Sequence, residues 1–261
     1  MAVGSTRQQI SRLENGHLGP DIDLVALICD HLHAGHRRRD AIMSAAADGW
    51  ATGWWADEAD RMGSRQVRYA DLESGAKSIA EYAITLIPGL LQTVAFSAAR
   101  MRSDPARQSP RFDPGAAVHA RAERQHRLLA ADGTTYDLVL DELAVRRPAA
   151  DPATVGAQLF HIVETSAAYR RITIRVLPIA ASIAAHTAPR SAYSIYRYPD
   201  PKDPVVVAVD TLATDLLVTE PDDVDAYLIM HGRLMAAALT PDESLELLTS
   251  AANANPPTTK E

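Results

Sequence analysis

Short segments rich in β-branched and aromatic residues recur from residue 78 onward, and helical or turn-forming segments separate them. Alternation with period two indicates a strand, whereas apolar residues three and four positions apart indicate a helix. The segments with strand character are 78–87, 136–141, 172–177, 192–198, 205–209 and 216–219. Segment 205–209 is apolar at every position, which predicts a central strand, and 216–219 is predicted to be an edge strand. Strands and helices mixed in this way predict an α+β fold with a central sheet of about four to six strands.

The remaining segments carry the start and stop signals of helices. Pro152 is typical of a first helical turn, and Thr240 with Glu243 has the spacing of a capping box. The predicted helices are 6–15, 21–33, 36–47, 88–101, 115–130, 152–169, 222–239 and 240–252.

These elements divide the chain into four parts. We predict an all-helical N-terminal module over residues 1–47 and a linker over 48–68, because the segment that begins at Asp48 contains two glycines and three tryptophans and breaks the helical pattern. The α+β domain is predicted over 69–252. Residues 253–261 are polar and contain prolines, which predicts a disordered tail.

Composition narrows the functional classes. Apolar residues make up 47% of the chain, enough for a hydrophobic core, and the net charge of −7 does not favour polyanions as partners of the whole protein. Cys29 is the single cysteine, which excludes an intramolecular disulfide and a cysteine-cluster metal site. No signal peptide or membrane-length apolar run is visible, so we expect a cytoplasmic protein with no membrane association.

The segment from Thr6 to Pro20 has the features of a DNA-recognition helix and its following turn. Thr6 can cap the helix and Gly16 can end it. Arginine and glutamine near a helix start can read base edges in the major groove, and serine or a further arginine suits phosphate. The candidate DNA-binding residues are Thr6, Arg7, Gln8, Gln9, Ser11, Arg12 and Asn15. An ordinary capped amphipathic helix is the alternative.

Residues Ile10–Gly16, followed by Pro20, resemble the recognition helix and turn of the phage-repressor-like (XRE) helix-turn-helix regulators. Four further motifs resemble the C-terminal domain of the actinobacterial Scr1-type (antitoxin-like) transcriptional regulators: 87–93, 140–142, 175–178 and 238–244. The resemblance implies a DNA-binding regulator, expected to act as a homodimer on operator DNA. It also implies a sensory or partner-binding domain whose partner is a small companion protein or a small-molecule ligand. In one departure from the family, the loop after Pro178 contains no glycine.

The start of the chain departs from that family. A helix-turn-helix needs helices in front of the recognition helix, yet only five residues precede Thr6, so we expect a module that is N-terminally truncated. Basic and acidic residues balance between Met1 and Ala46, whereas a DNA-binding module usually has a basic surface. One alternative is a regulator-derived protein that has lost DNA binding and binds a small molecule or catalyses a cofactor-free biosynthetic step such as a cyclisation. Another is a protein-interaction partner only, and whether the chain is an enzyme stays open.

A small set of side chains is a candidate ligand site in the larger domain. Glu73 and Glu81 could line a cleft with Tyr82 near the 88–92 turn, where a carboxyl group in apolar surroundings could act as an acid or base. The full set of candidates is Trp54, Trp55, Glu73, Glu81, Tyr82, Gln92 and Asp141. The two tryptophans could instead cap the edge of a core or the module junction, and Asp141 or Glu142 could be buried in a pair with Arg146 or Arg175.

No pattern predicts a metal or a cofactor. A glycine-rich phosphate loop and a Gly-X-Ser-X-Gly motif are both absent from the sequence. His31, His33 and His36 lie close together but are interpreted as solvent-facing residues at helix ends. Arg121, Arg124 and Arg127 recur at three-residue spacing, and we interpret them as a solvated helix face rather than an anion site.

Overall fold

The computed structural model describes residues 22–49, 59–103, 113–211 and 215–256, together with Ile10 and Trp55. The chain divides into two units, Met1–Ala56 and Asp57–Glu261. Apart from Ile10, which is helical, the predicted helix 6–15 lies outside the described residues. The same is true of the seven candidate DNA-binding residues, so their role remains a prediction.

The described part of the first unit is a pair of helices, α1 (Ile22–His31) and α2 (His36–Gly49), which confirms the predicted helices 21–33 and 36–47. Val25 and Cys29 of α1 and Ala46 of α2 are buried together. An exposed ion pair of 3.0 Å joins Asp30 to Arg39. The apolar spacing that predicted these helices therefore supplies the contact between them.

The second unit contains a six-stranded mixed sheet with flanking helices, so the predicted α+β fold and its sheet size are confirmed. The strands are β1 (Ser78–Ala83), β2 (Thr135–Asp141), β3 (Ile172–Leu177), β4 (Tyr193–Arg197), β5 (Val206–Val209) and β6 (Leu216–Val218). Their order is β3-β2-β1-β4-β5-β6. The first three run parallel, while β4, β5 and β6 each run antiparallel to the preceding neighbour.

Two strand positions were predicted from apolar pattern alone. Strand β6 is an edge, as expected for 216–219. Strand β5 pairs with β4 on one side and β6 on the other, so it is an interior strand as predicted, although it lies next to that edge. Its side chains are apolar on both sides because each face of the sheet carries a hydrophobic cluster.

Helices lie on both faces of this sheet. The helices of the unit are α3 (Ala59–Met62), α4 (Ser64–Glu73), α5 (Val94–Ser103), α6 (Pro114–Leu129), α7 (Glu142–Arg146), α8 (Pro152–Ala168), α9 (Pro221–Ala237) and α10 (Pro241–Asn253). The face that carries Ile79, Glu81 and Ala83 of β1 packs against α4, α6, α8 and α10, and we call it the Glu81 face. The face that carries Ala80 and Tyr82 packs against α9, and we call it the Tyr82 face.

The segment predicted as a linker, 48–68, is partly helical. Helix α3 and the first half of α4 fall inside it, and α4 is fixed to the domain by hydrogen bonds from Arg65 and Arg68 to the backbone oxygens of Thr211 and Asp215. The partners lie about 150 residues further along the chain. Because no local pattern reveals such partners, a polar segment of this kind is easily taken for a linker.

The predicted disordered tail also begins with ordered residues. Helix α10 ends at Asn253, and Asn255 donates hydrogen bonds from its backbone and side chain to the carbonyls of Ala252 and Ala251. A Cβ atom at Gly156 of α8 would lie 2.2 Å from the Asn255 oxygen. Glycine is therefore required where the end of α10 crosses α8, and this contact extends the domain past residue 252.

The loop after β3 contains two residues in the left-handed region. Ala185 and His186 have φ values of 58° and 51°. Non-glycine residues adopt this conformation at an energetic cost. The loop therefore has, without a glycine, a backbone conformation that glycine adopts more easily.

Candidate ligand-binding cleft

Glu81 lies in the middle of the sheet, where an apolar residue is expected. Its neighbours across the sheet are Leu138 on the parallel strand β2 and Ser194 on the antiparallel strand β4. Strand direction changes between β1 and β4, so Glu81 and Ser194 meet where the parallel and antiparallel halves of the sheet join. Side chains directly opposite each other in this way have Cβ atoms about 5 Å apart.

The carboxyl group of Glu81 is held by a buried phenol. Tyr136 donates a hydrogen bond of 2.6 Å to Glu81 Oε2. Burial raises the pKa of Glu81 to about 7, and the charges of Glu73 and Asp210 add to the rise, while the Tyr136 hydrogen bond and Arg124 act against it. The residue nevertheless keeps partial exposure. A carboxyl group that is desolvated but still partly exposed marks a place where solvent reaches this face of the sheet.

Three further hydroxyls border this place. Ser194 and Tyr196 lie on β4 with their side chains on the Glu81 face, and Tyr69 approaches from α4. Within the described residues, none of these hydroxyls has a hydrogen-bond partner, although Tyr196 is only 1% exposed. Burial raises the pKa of Tyr196, and the charges of Glu73 and Glu81 raise it further. These four residues, Tyr69, Glu81, Ser194 and Tyr196, define what we call the Glu81 cleft.

One wall of the cleft is a buried ion pair. Arg124 of α6 donates from Nε to Glu73 Oε2 at 2.7 Å and from Nη2 to Glu73 Oε1, and its Nη1 bonds to Gln66. Its guanidinium also lies over the ring of Tyr69, 5.4 Å from the centroid. Glu73 is therefore fully engaged in the scaffold of the cleft, in contrast to Glu81.

The prediction of a solvated arginine face on α6 is wrong for two of its three residues. Arg124 is buried, and burial beside Arg124 lowers the pKa of Arg121 to about 10. Only Arg127 is exposed, where it pairs with Glu123. The partners of the buried arginines come from α4 and the turn before α5, which three-residue spacing along α6 cannot reveal.

A charged group stands at the C-terminal end of β5. Arg65 pairs with Asp210 at 3.2 Å and with Asp215 at 3.0 Å. The Asp215 side chain is 3% exposed and that of Asp210 is half exposed. Burial raises the pKa of Asp210 despite the attraction of Arg65. One guanidinium thus serves two carboxylates at this end of the Glu81 face.

Gln92 is part of a structural turn. Its Nε2 donates to the carbonyl of Ile87 at 2.7 Å, and its Oε1 accepts from Ser97 and Arg121. Gln158 of α8 holds the same turn by donating to the carbonyl of Leu91 at 2.6 Å. Gln92 is buried and its side chain is committed to this network, so the structure gives it a scaffold role beside the cleft.

Tyr82 and Asp141 meet on the opposite face. The Tyr82 hydroxyl donates to Asp141 Oδ2 at 2.9 Å, and Asp141 Oδ1 caps α7 by accepting from the backbone of Leu143. The hypothesis of one cleft shared by Glu81 and Tyr82 is wrong, because adjacent residues of a strand point to opposite faces. Glu142 begins α7, and its mostly buried side chain pairs there with Arg146, as predicted for one of these two acidic residues.

The remaining sequence candidates lie elsewhere. Trp54 is outside the described residues, and Trp55 is a buried turn residue. Across the part of the chain that the structure describes, no group of three metal-ligating side chains occurs. The same residues include no helix that is long and apolar enough to cross a membrane.

Sequence reasoning missed Tyr69, Ser194 and Tyr196. Segment 192–198 was recognised as a strand, and Ser194 and Tyr196 share one side of it by period two. What the pattern could not supply was the pairing of β4 with β1, which places that side next to Glu81.

The fold and these side chains together define a mixed α+β domain with a partly exposed carboxyl group in the middle of one sheet face. Residues 66–250 match the family described as domain of unknown function (DUF5753), and the chain belongs to this family. No curated protein and no solved structure matches the chain.

Proposed function

We propose that this protein is a DNA-binding transcriptional regulator whose α+β domain binds a small molecule in the Glu81 cleft. Support for DNA binding comes from the candidate recognition helix 6–15 and from its resemblance to XRE-type regulators. Such regulators act as dimers on two half-sites, so the proposal includes a homodimer on operator DNA. A small companion protein remains an alternative occupant of the sensory domain.

The observation that carries the ligand-binding part is the unsatisfied chemistry of the cleft. Polar groups inside a protein are normally hydrogen-bonded. Around Glu81, three hydroxyls have no partner among the described residues, although the neighbouring Glu73, Arg124 and Gln92 are fully engaged. A binding site typically combines side chains that are fixed by hydrogen bonds within the protein with a few polar groups that are left to bind the ligand.

DNA binding is tested by fluorescence anisotropy with DNA fragments from the region upstream of the gene that encodes this protein, first at low salt and then with increasing salt. We expect Arg7→Ala and Gln9→Ala each to weaken binding to the preferred fragment by about 1–3 kcal/mol. Arg12→Ala should weaken binding to all fragments alike, because a phosphate contact carries no sequence information. Lys202→Ala, an exposed change in the other unit, is the matched control. Absence of binding to every fragment at low salt would contradict the regulator.

A second candidate function is cofactor-free catalysis in the same cleft, in a protein that has lost DNA binding. The pKa of Glu81 near 7 favours it, because a general acid or base works best when its pKa lies near the working pH. A cyclisation promoted by one proton transfer would fit the carboxyl of Glu81. The test is conversion of products of the neighbouring genes, followed by mass spectrometry. Turnover by the wild type that Glu81→Gln abolishes, in a protein without DNA binding, would favour this function over the regulator.

A further inference from the structure

We propose that the Glu81 cleft binds an organic ammonium ion, a small molecule that presents a primary or secondary amine to Glu81 and Ser194. The inference rests on the proposal that this cleft is the ligand site. It adds the chemical class of the ligand and the atoms that recognise it.

The first step is the balance of charge around Glu81. The charged groups that act on this carboxyl are Glu73 and Asp210, which are anionic, and Arg124, which is cationic. Arg124 is already paired with Glu73 through two hydrogen bonds. Asp210 is likewise paired with Arg65, at 3.2 Å. Glu81 itself forms no ion pair with a described residue and only accepts from Tyr136. The ionised Glu81 is therefore a carboxylate without a cationic partner among the described residues, which favours a cation over an anion or a neutral molecule.

The second step is the supply of acceptors for an ammonium group. Such a group has up to three N–H donors, and each needs an acceptor when it leaves water. Glu81 Oε1 accepts no hydrogen bond within the described residues, and the Ser194 hydroxyl lies directly across the β1–β4 ladder. The hydroxyl of Tyr196, a side chain that is 99% buried, provides a third oxygen with no partner in the described part of the chain.

The third step is the aromatic lining. Arg124 already lies over the ring of Tyr69, so this wall stabilises positive charge within the structure itself. The face of a tyrosine ring attracts ammonium groups through its quadrupole. Tyr69 and Tyr196 thus provide a surface for the carbon atoms next to the amine. A phosphate or carboxylate ligand would meet the unpaired carboxylate of Glu81 with like charge and is disfavoured.

Binding of an ammonium ion should release a proton from Glu81, whereas binding of a neutral alcohol should not. At pH 7 the Glu81 carboxyl is partly protonated, because its pKa is about 7. A bound cation stabilises the carboxylate, so Glu81 releases its proton to solvent as the amine binds. The expected signature is proton release at pH 7 that diminishes at pH 9, where Glu81 is already ionised.

The test is titration calorimetry with three amines: 2-phenylethylamine, cadaverine and spermidine. The uncharged control is 2-phenylethanol, which has a hydroxyl in place of the amine of 2-phenylethylamine. Repeating the titration at pH 7 in buffers of different ionisation enthalpy measures the protons released. We expect at least one amine to bind the wild type with proton release. Glu81→Gln should weaken that binding at least tenfold, Ser194→Ala should weaken it less, and Asp203→Asn, an exposed acidic control, should leave it unchanged. Circular dichroism confirms that each variant is folded.

Three outcomes overturn the proposal. They are equal binding of 2-phenylethanol and 2-phenylethylamine, equal binding of an amine to the wild type and Glu81→Gln, and no binding of any of the three amines. The first would leave the cleft as a ligand site and remove only the ammonium class. DNA anisotropy on the same preparation measures the regulator function separately, so the two proposals fail independently.

Discussion

Glu81 and Tyr82 are neighbours in β1, yet their side chains lie in opposite chemical environments. Tyr82 is 1% exposed and donates to Asp141, and its ring packs 5.9 Å from that of Tyr193 under α9. Glu81 is partly accessible and faces hydroxyls with no partner among the described residues. The Tyr82 face is a core that contains polar groups, whereas the Glu81 face has a core interrupted by a cleft. Which face carries the site is therefore decided by whether its unpartnered polar groups lie beside an accessible one, since both faces contain polar groups.

The Tyr82 face has unpartnered groups of its own. The Tyr193 hydroxyl and both ring nitrogens of His231 are buried without a hydrogen-bond partner in the described residues. Tyr193 packs edge-on against Tyr227 and His231, at 5.1 and 6.0 Å between ring centroids. These atoms are sealed between α9 and the sheet, while the hydroxyls of the Glu81 cleft border an accessible carboxyl. The following predictions test this contrast, beginning with the largest effect.

Arg124→Met should produce the largest loss of stability, because it leaves the Glu73 carboxylate buried without its partner. Breaking a buried ion pair from one side typically costs about 3–5 kcal/mol. Urea denaturation at pH 7 measures the change. The double variant Glu73→Gln with Arg124→Met is the control and should recover part of the loss. An Arg124→Met protein as stable as the wild type would show that the wall of the cleft is not built on this pair.

Glu81→Gln should stabilise the folded protein at pH 8. The folded pKa of about 7 lies above the unfolded value of 4.5, so the contribution of Glu81 to the stability of the wild type is highest below pH 4.5, falls as pH rises to about 7 and is then constant. A shift of this size corresponds to at most about 3 kcal/mol. Thermal unfolding between pH 4 and pH 9 measures the difference. If the wild type and Glu81→Gln have parallel pH profiles, Glu81 is an ordinary solvated carboxyl.

Tyr82→Phe and Tyr193→Phe should change stability differently, because within the described residues the Tyr82 hydroxyl is hydrogen-bonded and the Tyr193 hydroxyl is not. Removing the Tyr82 hydroxyl breaks its bond to Asp141 and should cost about 1 kcal/mol. Removing the Tyr193 hydroxyl takes away a buried group without a partner among the described residues, so it should be neutral or stabilising. Urea midpoints of the two variants, which differ from the wild type by one atom each, provide the comparison. Equal losses would mean that the Tyr193 hydroxyl is satisfied in solution.

The smallest effect is expected from His231. Burial lowers its pKa below 6.5, with Asp137 opposing and Arg197 adding to the shift. The unfolded chain therefore binds a proton more readily than the folded one, and this residue's contribution to stability declines as pH falls below about 6.5. In thermal unfolding from pH 8 to pH 5, His231→Leu should lose less stability than the wild type. If His231→Leu loses more stability than the wild type, the protonated His231 must be stabilised in the folded protein by a nearby negative charge.

Much of the fold could be predicted because strands and helices leave local periodic signals. The strands 172–177 and 136–141 and the capping box at Thr240 and Glu243 are observed within one or two residues of their predicted bounds. The cleft could be predicted only in part. Glu73 and Glu81 were recognised as ionisable groups in apolar surroundings, but their different roles depend on Arg124, which is 51 residues away from Glu73.

The rest of the site depends on strand pairing that no local pattern contains. Tyr82 was assigned to the wrong side because nearness in sequence was taken for nearness in space, although alternation within β1 separates it from Glu81. Ser194 and Tyr196 reach the cleft because β4 turns back to pair with β1 rather than with β3, its predecessor in the chain. Arg124, whose partner Glu73 is distant in sequence, was taken for a surface charge for the same reason.

The most direct test of the account is the titration of the Glu81 carboxyl itself. Carbon-detected NMR of the protein with labelled glutamate, with Glu81→Gln to assign the signal, measures its midpoint between pH 4 and pH 9. The account predicts a midpoint near 7, well above the ordinary value of 4.5, in the protein without ligand. A midpoint at or below 4.5 would mean that Glu81 is solvated or paired, and it would contradict the claim that the Glu81 face carries an uncommitted ligand site.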